Sequence, residues 1–232
     1  MAFRVEARIG AILAIAVVAA AGQGVTVRHR HLRGGKPGEL SVTADGISFV
    51  EKGSGSKHTR VWKYEDIQQL ELGPDTLRIL TYEDRKWELG RDREYRFDQL
   101  PPGFAKAVYG KWRDSLDRRF IADLADSDVT PAWVIPAKLL GRIQGSEGTL
   151  EFGADRVVYR TARPGQSHTW RFTDIENISS AGPFDFSIAA SWASEFHFQL
   201  KRILPESRYN QLWRQLNSSK QTHFMQTPST SD

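Results

Sequence analysis

The chain carries an internal duplication, and this repeat constrains its fold more than any other feature. Residues 38–49 (GELSVTADGISF) match residues 148–159 (GTLEFGADRVVY) at a constant offset of 110. The series continues in order, since residues 62–70 (WKYEDIQQL) match residues 170–178 (WRFTDIENI) at an offset of 108. The intervening loop is therefore two residues shorter in the second copy, a change that loops tolerate. A collinear series of this length predicts two homologous units.

Apolar residues within each copy are spaced by two and then, near the end of the copy, by three or four. The pairs Leu40/Val42 and Ile47/Phe49 are examples of the first spacing, which is typical of half-buried strands. Residues 104–120 and 209–216 show the second spacing, which is typical of an amphipathic helix. Each copy is therefore predicted to contain about seven strands followed by one helix.

This order of elements resembles the pleckstrin-homology-like domains, and most closely their GRAM and bacterial variants. The resemblance rests on residues 38–49 with 62–70 and on their second-copy counterparts. It implies a mainly β fold of two tandem, partly open β-barrels, each of about seven antiparallel strands with a C-terminal α-helix. Because a helix with aromatic residues can fill the mouth of such a barrel, we expect Trp112 and Trp213 to do so.

The repeat and the composition between the copies predict five segments. Residues 1–21 are expected to be a signal peptide, and residues 25–121 the first repeat. Residues 122–137 are polar and interrupted by proline, as in a linker. The second repeat is expected over residues 138–217, and a disordered tail, rich in Ser, Thr and Gln, over residues 218–232.

The amino-terminal segment predicts export. Arg4 and Arg8 precede an apolar run over residues 9–21 that ends in three alanines. This run is shorter than the roughly 20 residues that span a bilayer, and small residues suit signal peptidase. We expect cleavage after Ala21 and a periplasmic or secreted protein, with an uncleaved membrane anchor as the alternative. Cleavage would lower the net charge from +4 to +3.

Composition excludes several classes of function. The chain has no Cys, which excludes disulfides, thiolate zinc sites and cysteine nucleophiles. Acidic and basic residues alternate along the chain, whereas a nucleic-acid-binding protein normally concentrates its basic residues. We therefore expect no nucleic-acid partner.

No set of residues has the spacing of a catalytic or metal site, and we predict neither enzyme activity nor a cofactor. His29 and His31 lack a third ligand nearby and lie beside arginines. Ser167 and His168 are adjacent, so their side chains would point to opposite faces of a strand. Asp174, like its counterpart in the first copy, is expected to cap a loop.

The candidate binding residues follow from two competing hypotheses. In the first, the protein is a non-catalytic binding or scaffolding module of the bacterial cell envelope that recognises a protein or peptide partner. The tryptophans without a counterpart in the other copy, Trp133 and Trp192, are then the interface candidates. In the second, basic hairpin loops bind anionic lipid or envelope polymer in peripheral contact with a membrane. The basic candidates are Lys57, Arg60, Arg160 and Arg163.

Overall fold

Two successive runs of seven strands, each followed by a helix, make up the structure. It is a computed structural model that describes residues 24–30, 35–53, 59–85, 88–141, 145–190 and 194–226. The first run with its helix is called the first unit here, and the second run with its helix the second unit. Neither helix of these described residues is both long and apolar enough to cross a bilayer.

The first unit consists of β1 to β7 and α1. Its elements are β1 (Val25–His29), β2 (Lys36–Val42), β3 (Gly46–Glu51), β4 (Thr59–Lys63), β5 (Ile67–Leu72), β6 (Thr76–Arg85), β7 (Glu88–Asp98) and α1 (Phe104–Ser115). A short strand, β8 (Arg119–Ala122), follows α1, and no strand follows α2 within the described residues. One 3-10 turn, Tyr64–Asp66, joins β4 to β5.

The second unit repeats this order. Its elements are β9 (Trp133–Leu140), β10 (Ser146–Phe152), β11 (Arg156–Thr161), β12 (His168–Arg171), β13 (Ile175–Ser179), β14 (Asp185–Ala190), β15 (Ser194–Leu200) and α2 (Glu206–Gln226). The 3-10 turn Phe172–Asp174 lies between β12 and β13, as its counterpart does in the first unit. The sheet order and the closing helices confirm the predicted fold class.

Within each unit the strand order is the same, and β8 joins the two units. The order β5-β6-β7-β1-β2-β3-β4 is repeated as β13-β14-β15-β9-β10-β11-β12. Strand β8 pairs in parallel with β5, from Gln69–Arg119 to Leu72–Ala122. On its other side it meets β12 through the antiparallel pair Thr169–Ala122. The described strands therefore form one continuous sheet that ends at β13 and at β4.

Each unit has its own hydrophobic core, made by the inward-facing residues of the alternating strands. Trp62 lies in the core of the first unit, and its counterpart Trp170 in the core of the second. Strand β6 shows the alternation directly, since Leu77, Ile79 and Thr81 are buried while the residues between them are not. Such period-two burial is what a sheet with one covered face requires.

The second unit begins earlier than the sequence predicts. Residues 133–137, which we expect to be linker, belong to β9, the counterpart of β1, and Ile135 and Ala137 are buried in the second core. Pro136 does not prevent this, because it lies at the end of the ladder between β9 and β15. Its carbonyl accepts the Lys201 N–H at 2.8 Å. The N–H that proline lacks would serve only this outermost contact, beyond the last ladder pair Ala137–Leu200.

The last helix extends further than the sequence predicts. Helix α2 continues to Gln226, through part of the segment that we expect to be disordered, and residues 227–232 lie outside the described part of the chain. No glycine or proline occurs between Glu206 and Gln226, so nothing interrupts the helix. The Lys220 ammonium group anchors its later turns by donating to the Glu176 carbonyl at 2.8 Å. The predicted signal peptide also lies outside the described residues.

Candidate binding surface

Two of the basic residues predicted to bind anions make hydrogen bonds within the protein. Arg160 lies on β11 and donates to Glu151 Oε1 at 2.8 Å and to the Asp126 carbonyl at 2.7 Å. Arg163 lies in the loop after β11 and donates to the Gly145 carbonyl at 3.1 Å. These contacts give Arg160 a structural role, because its guanidinium links a neighbouring strand to the segment between the two units.

The predicted interface tryptophan of β9 is half-buried. The Trp133 ring stacks on Phe152, with ring centres 3.6 Å apart and planes inclined by 9°. Arg208 of α2 lies over the same ring, 5.8 Å from its centre. Trp133 is therefore packed against the second core rather than fully exposed. Trp192 and Lys57 lie outside the described residues.

Only one of the two tryptophans predicted to fill the barrel mouths does so. Trp112 of α1 is fully buried, and its indole N–H donates to the Tyr64 hydroxyl at 2.9 Å. The prediction for Trp213 is wrong, because this side chain is 51% exposed. Leu212, the preceding residue, is buried in the second core instead. The two helices thus present different residues to their barrels.

The histidines examined for metal binding or catalysis pack against neighbouring residues. The His29 ring stacks on Phe97 with centres 5.0 Å apart, and His31 lies outside the described residues. His168 lies on β12, where its Nδ1 is 2.8 Å from Asp123 Oδ1. In the described parts of the chain, no three potential ligands are grouped as a metal ion would require.

The edge of β12 is covered by residues 119–128, which we call the connecting segment. Beyond the Thr169–Ala122 pair, the Thr169 hydroxyl donates to the Leu124 carbonyl at 2.7 Å and accepts the Asp126 N–H at 3.0 Å. Asp174 accepts the Phe120 N–H at 3.1 Å. The connecting segment is therefore bound along a strand edge of the second unit, with residues 119–122 as a strand and bends at residues 123–124 and 127–128.

Asp126 holds the connecting segment between the two units. Its carboxylate is 1% exposed and accepts from the Tyr109 hydroxyl at 2.9 Å and from Arg113 at 3.3 Å, both on α1. Arg156 of β11 donates to the same oxygen atom at 2.5 Å, and the Asp128 N–H donates to the other at 2.8 Å. A buried carboxylate needs such partners to remain ionised.

Opposing influences set the ionisation of this cluster. Burial alone would raise the pKa of Asp126, but the Asp128 N–H, the Tyr109 hydroxyl and the Arg156 guanidinium outweigh it, so that the pKa lies below its ordinary value. Burial raises the pKa of Tyr109, and the hydrogen bond to Asp126 raises it further. The cluster is therefore most stable with Asp126 charged and Tyr109 neutral.

The same strand edge of the first unit, at β4, has no strand beside it in the described residues. Trp62 pairs with Ile47 of β3, and the Tyr64 N–H continues this ladder by donating to the Asp45 carbonyl at 3.2 Å. Since hydrogen-bonded residues alternate along an antiparallel ladder, the backbone groups of Val61 point away from β3. Among the described residues, the Val61 N–H and C=O of β4 are thus a donor and an acceptor without a backbone partner.

Apolar side chains surround this unpaired edge. Val61 is 68% exposed, and Val50, on the same outer face of β3, is 45% exposed. In the second unit, Val158 lies on the equivalent outer face and is completely buried, between Arg156 and Arg160, which both bind Asp126. We call the outward side of β4, together with Val50 and Arg60, the β4 edge.

Three of the residues that hold the connecting segment in the second unit are replaced in the first. By the repeat offsets, Val61 stands in the position of Thr169, and Val50 in that of Arg160. Gly46 stands in the position of Arg156 and must stay small, because a Cβ there would meet the Trp62 carbonyl oxygen. The strand pairing at the edge is the same in both units, but at these three positions polar side chains are replaced by valine or glycine, while Asp66 keeps the carboxylate of Asp174.

Arg60 is an exception to this loss of polar groups. It stands in the position of His168, which is paired with Asp123. The Arg60 guanidinium lies 5.9 Å from the Tyr95 ring centre, as the His168 ring lies 4.7 Å from that of Phe196. The first unit therefore has a cation where the second unit binds a carboxylate. The sequence singled out Arg60 for its charge, but only the structure relates it to His168 and the β4 edge.

Sequence comparisons identify no family. No family model matches the chain, and no curated protein matches it.

Solved structures show distant similarity. The C-terminal domain of an unknown protein from Leishmania infantum is 11% identical, with a TM-score of 0.33, and the match covers 48% of this chain and 97% of that one. The N-terminal PH domain of human ARAP2 is 13% identical, with a TM-score of 0.31, over 46% of this chain and 96% of that one. The Spt16D–Pob3N heterodimer is 13% identical, with a TM-score of 0.27, over 67% and 75%.

Proposed function

We propose that this protein is a non-catalytic binding or scaffolding module that recognises a protein or peptide partner, and that it acts after export in the bacterial cell envelope. The observation that carries the proposal is the β4 edge, a strand with no neighbour on its outer side in the described part of the chain, bordered by the exposed side chains of Val50 and Val61. Unpaired edges bind other polypeptide chains readily, and proteins that do not use them usually shield them with charge, proline or a covering segment.

The second unit supports the proposal by example. Its equivalent edge is covered by polypeptide, namely the connecting segment, which pairs with Thr169 and binds its hydroxyl group. The same fold thus already binds a stretch of polypeptide at this position once. Expected export adds a compartment in which the partner would be another envelope protein.

Site-specific photo-crosslinking in native cells tests the proposal. Benzoylphenylalanine at position 50 is expected to capture a protein, whereas the same group at position 82, where Tyr82 is also exposed, is not. Val61→Pro should abolish the capture at position 50, because it removes the outward N–H. Val61→Thr, which keeps that N–H, serves as the control. Capture of lipid or polymer alone, or capture that Val61→Pro leaves unchanged, would contradict the proposal.

Export has a separate test. The mass of the protein isolated from native cells is expected to lack residues 1–21, and the intact mass would show that the segment is retained.

A further inference from the structure

The two equivalent strand edges allow the chemistry of the partner to be specified. We propose that the β4 edge binds an extended segment of another polypeptide, antiparallel to β4, with a carboxylate opposite Arg60 and an apolar side chain three residues later against Val50. This inference rests on the proposed function, which it deepens. The connecting segment serves as the template, because it occupies the same position on the second unit.

The direction and register follow from the template. Ala122 lies opposite Thr169 in an antiparallel pair, and the next residue, Asp123, binds His168. In the same register on the first unit, a small residue of the partner segment lies opposite Val61, and a carboxylate of that segment lies opposite Arg60. The unpaired N–H and C=O of Val61 then have backbone partners, as in strand addition to a sheet edge.

Arg60 accounts for the carboxylate. Its counterpart His168 lies 2.8 Å from Asp123, so a carboxylate already occupies this position in the second unit. Arginine carries a full charge and binds carboxylates with two parallel hydrogen bonds. Arg60 is exposed, so a partner can reach it without displacing the core. The charge of Arg60 therefore selects an acidic residue at this point of the partner.

The apolar residue of the partner segment follows from two arginines of the second unit that have no basic counterpart in the first. In the second unit, Arg156 binds the side chain of Asp126 and Arg160 binds its carbonyl. Gly46 and Val50 stand in these positions and cannot neutralise a carboxylate. Lys63, which lies opposite Gly46 in the ladder, is already bound to Glu65 at 3.0 Å. A carboxylate placed there would therefore lose water for little gain, while an apolar side chain would cover Val50. The two units thus select different side chains at the same point of the bound segment.

A synthetic peptide tests this specificity on the purified full chain. The probe is residues 119–128 with Asp126→Val, labelled with a fluorophore, and binding is followed by fluorescence anisotropy. Saturable binding is expected, with the unaltered 119–128 peptide at least about tenfold weaker. Hydrogen exchange should show protection of residues 59–63 and not of residues 168–171, which would locate the probe on the first unit.

Two sets of variants separate the backbone and the charge. Val61→Pro is expected to abolish probe binding, whereas Val61→Thr should change the affinity by less than about threefold. Arg60→Glu should weaken the probe at least about tenfold, and a probe that also carries Asp123→Lys should recover binding to that variant. The charge exchange stays decisive even if Val61→Pro fails to fold.

Three outcomes overturn the inference: no saturable binding up to about 1 mM, equal binding of the two peptides, or no recovery on charge exchange. If position 50 still captures a protein in cells and Val61→Pro prevents it, the proposed function stands without this specificity. If that capture also fails, the proposed function fails as well.

Discussion

The first and second units have the same strand order but treat the same strand edge differently. In the second unit, the connecting segment covers the edge of β12, and the outer residue Val158 is buried. In the first unit, the edge of β4 is unpaired in the described residues, and Val61 is largely exposed. A duplicated fold thus binds its own chain with one copy and keeps the other accessible.

The comparison extends to the helices. On α1, Tyr109 and Arg113 bind Asp126, so this helix is tied to the connecting segment. On α2, the position of Arg113 is taken by Trp213, which is half-exposed. The polar contacts of α1 are made to the connecting segment, which leads into the second unit. Equivalent helix positions of the two units therefore carry different side chains and differ in burial.

The largest expected effect is the loss of stability on replacing Trp112, with Trp213 as the matched control. Trp112→Ala should lower the free energy of unfolding by about 3–5 kcal/mol, because it empties a fully buried position and removes the hydrogen bond to Tyr64. Trp213→Ala should change it by less than about 0.5 kcal/mol, because this ring is half-exposed. Urea-induced unfolding measures both, and equal losses would mean that the helices are equivalent after all.

A somewhat smaller effect is expected at the contact between the units. Asp126→Ala leaves Arg156 and Arg113 without their buried carboxylate, and should cost about 3 kcal/mol. Asp128→Ala removes an exposed partner of the same Arg113 and should cost less than about 1 kcal/mol. Urea unfolding distinguishes the two variants. If they lose the same stability, Asp126 does not hold the units together.

The smallest expected effect is a pH dependence of the same contact. The pKa of Asp126 is lowered by folding, so its contribution is fully present above its ordinary pKa of about 4 and is lost as the pH falls through the lower folded value. Between pH 6 and 3, unfolding free energy should therefore fall more steeply for the native protein than for Asp126→Asn. Parallel pH profiles would show that Asp126 is not stabilised as a charged group.

Much of the strand architecture was predictable because a strand needs only a period of two. The alternation at Leu40/Val42 and Ile47/Phe49 marks β2 and β3, and the repeat then locates β10 and β11. The same rule extends to β9, where Ile135, Ala137 and the half-buried Leu139 alternate with exposed or half-buried residues. The polar residues before β9 and Pro136 hid this signal, because they are typical of linkers.

The helix register was harder to predict, since each helix contains a Trp followed by an Arg, at 112–113 and at 213–214, and this pair suggests the wrong alignment. Aligning Trp112 with Trp213 requires an offset of 101, but the buried side chains follow an offset of 100. The residues that reveal this are Tyr109, Trp112 and Leu116 on one side, and Tyr209, Leu212 and Leu216 on the other. Spacing along a helix face, rather than residue identity, gives the correct register.

The sequence by itself determined that the chain is duplicated, that each copy is a layer of short strands with a closing helix, and that tryptophans such as Trp62 and Trp170 lie in the cores. The duplication follows from the collinear match between the copies, and the strands and helices follow from local periodicity. Only the tertiary structure decided which edge is covered, because Val61 and Thr169 occupy equivalent strand positions and look alike in pattern. The difference arises where the connecting segment passes, and there a shared carboxylate, Asp126, joins α1 to β11.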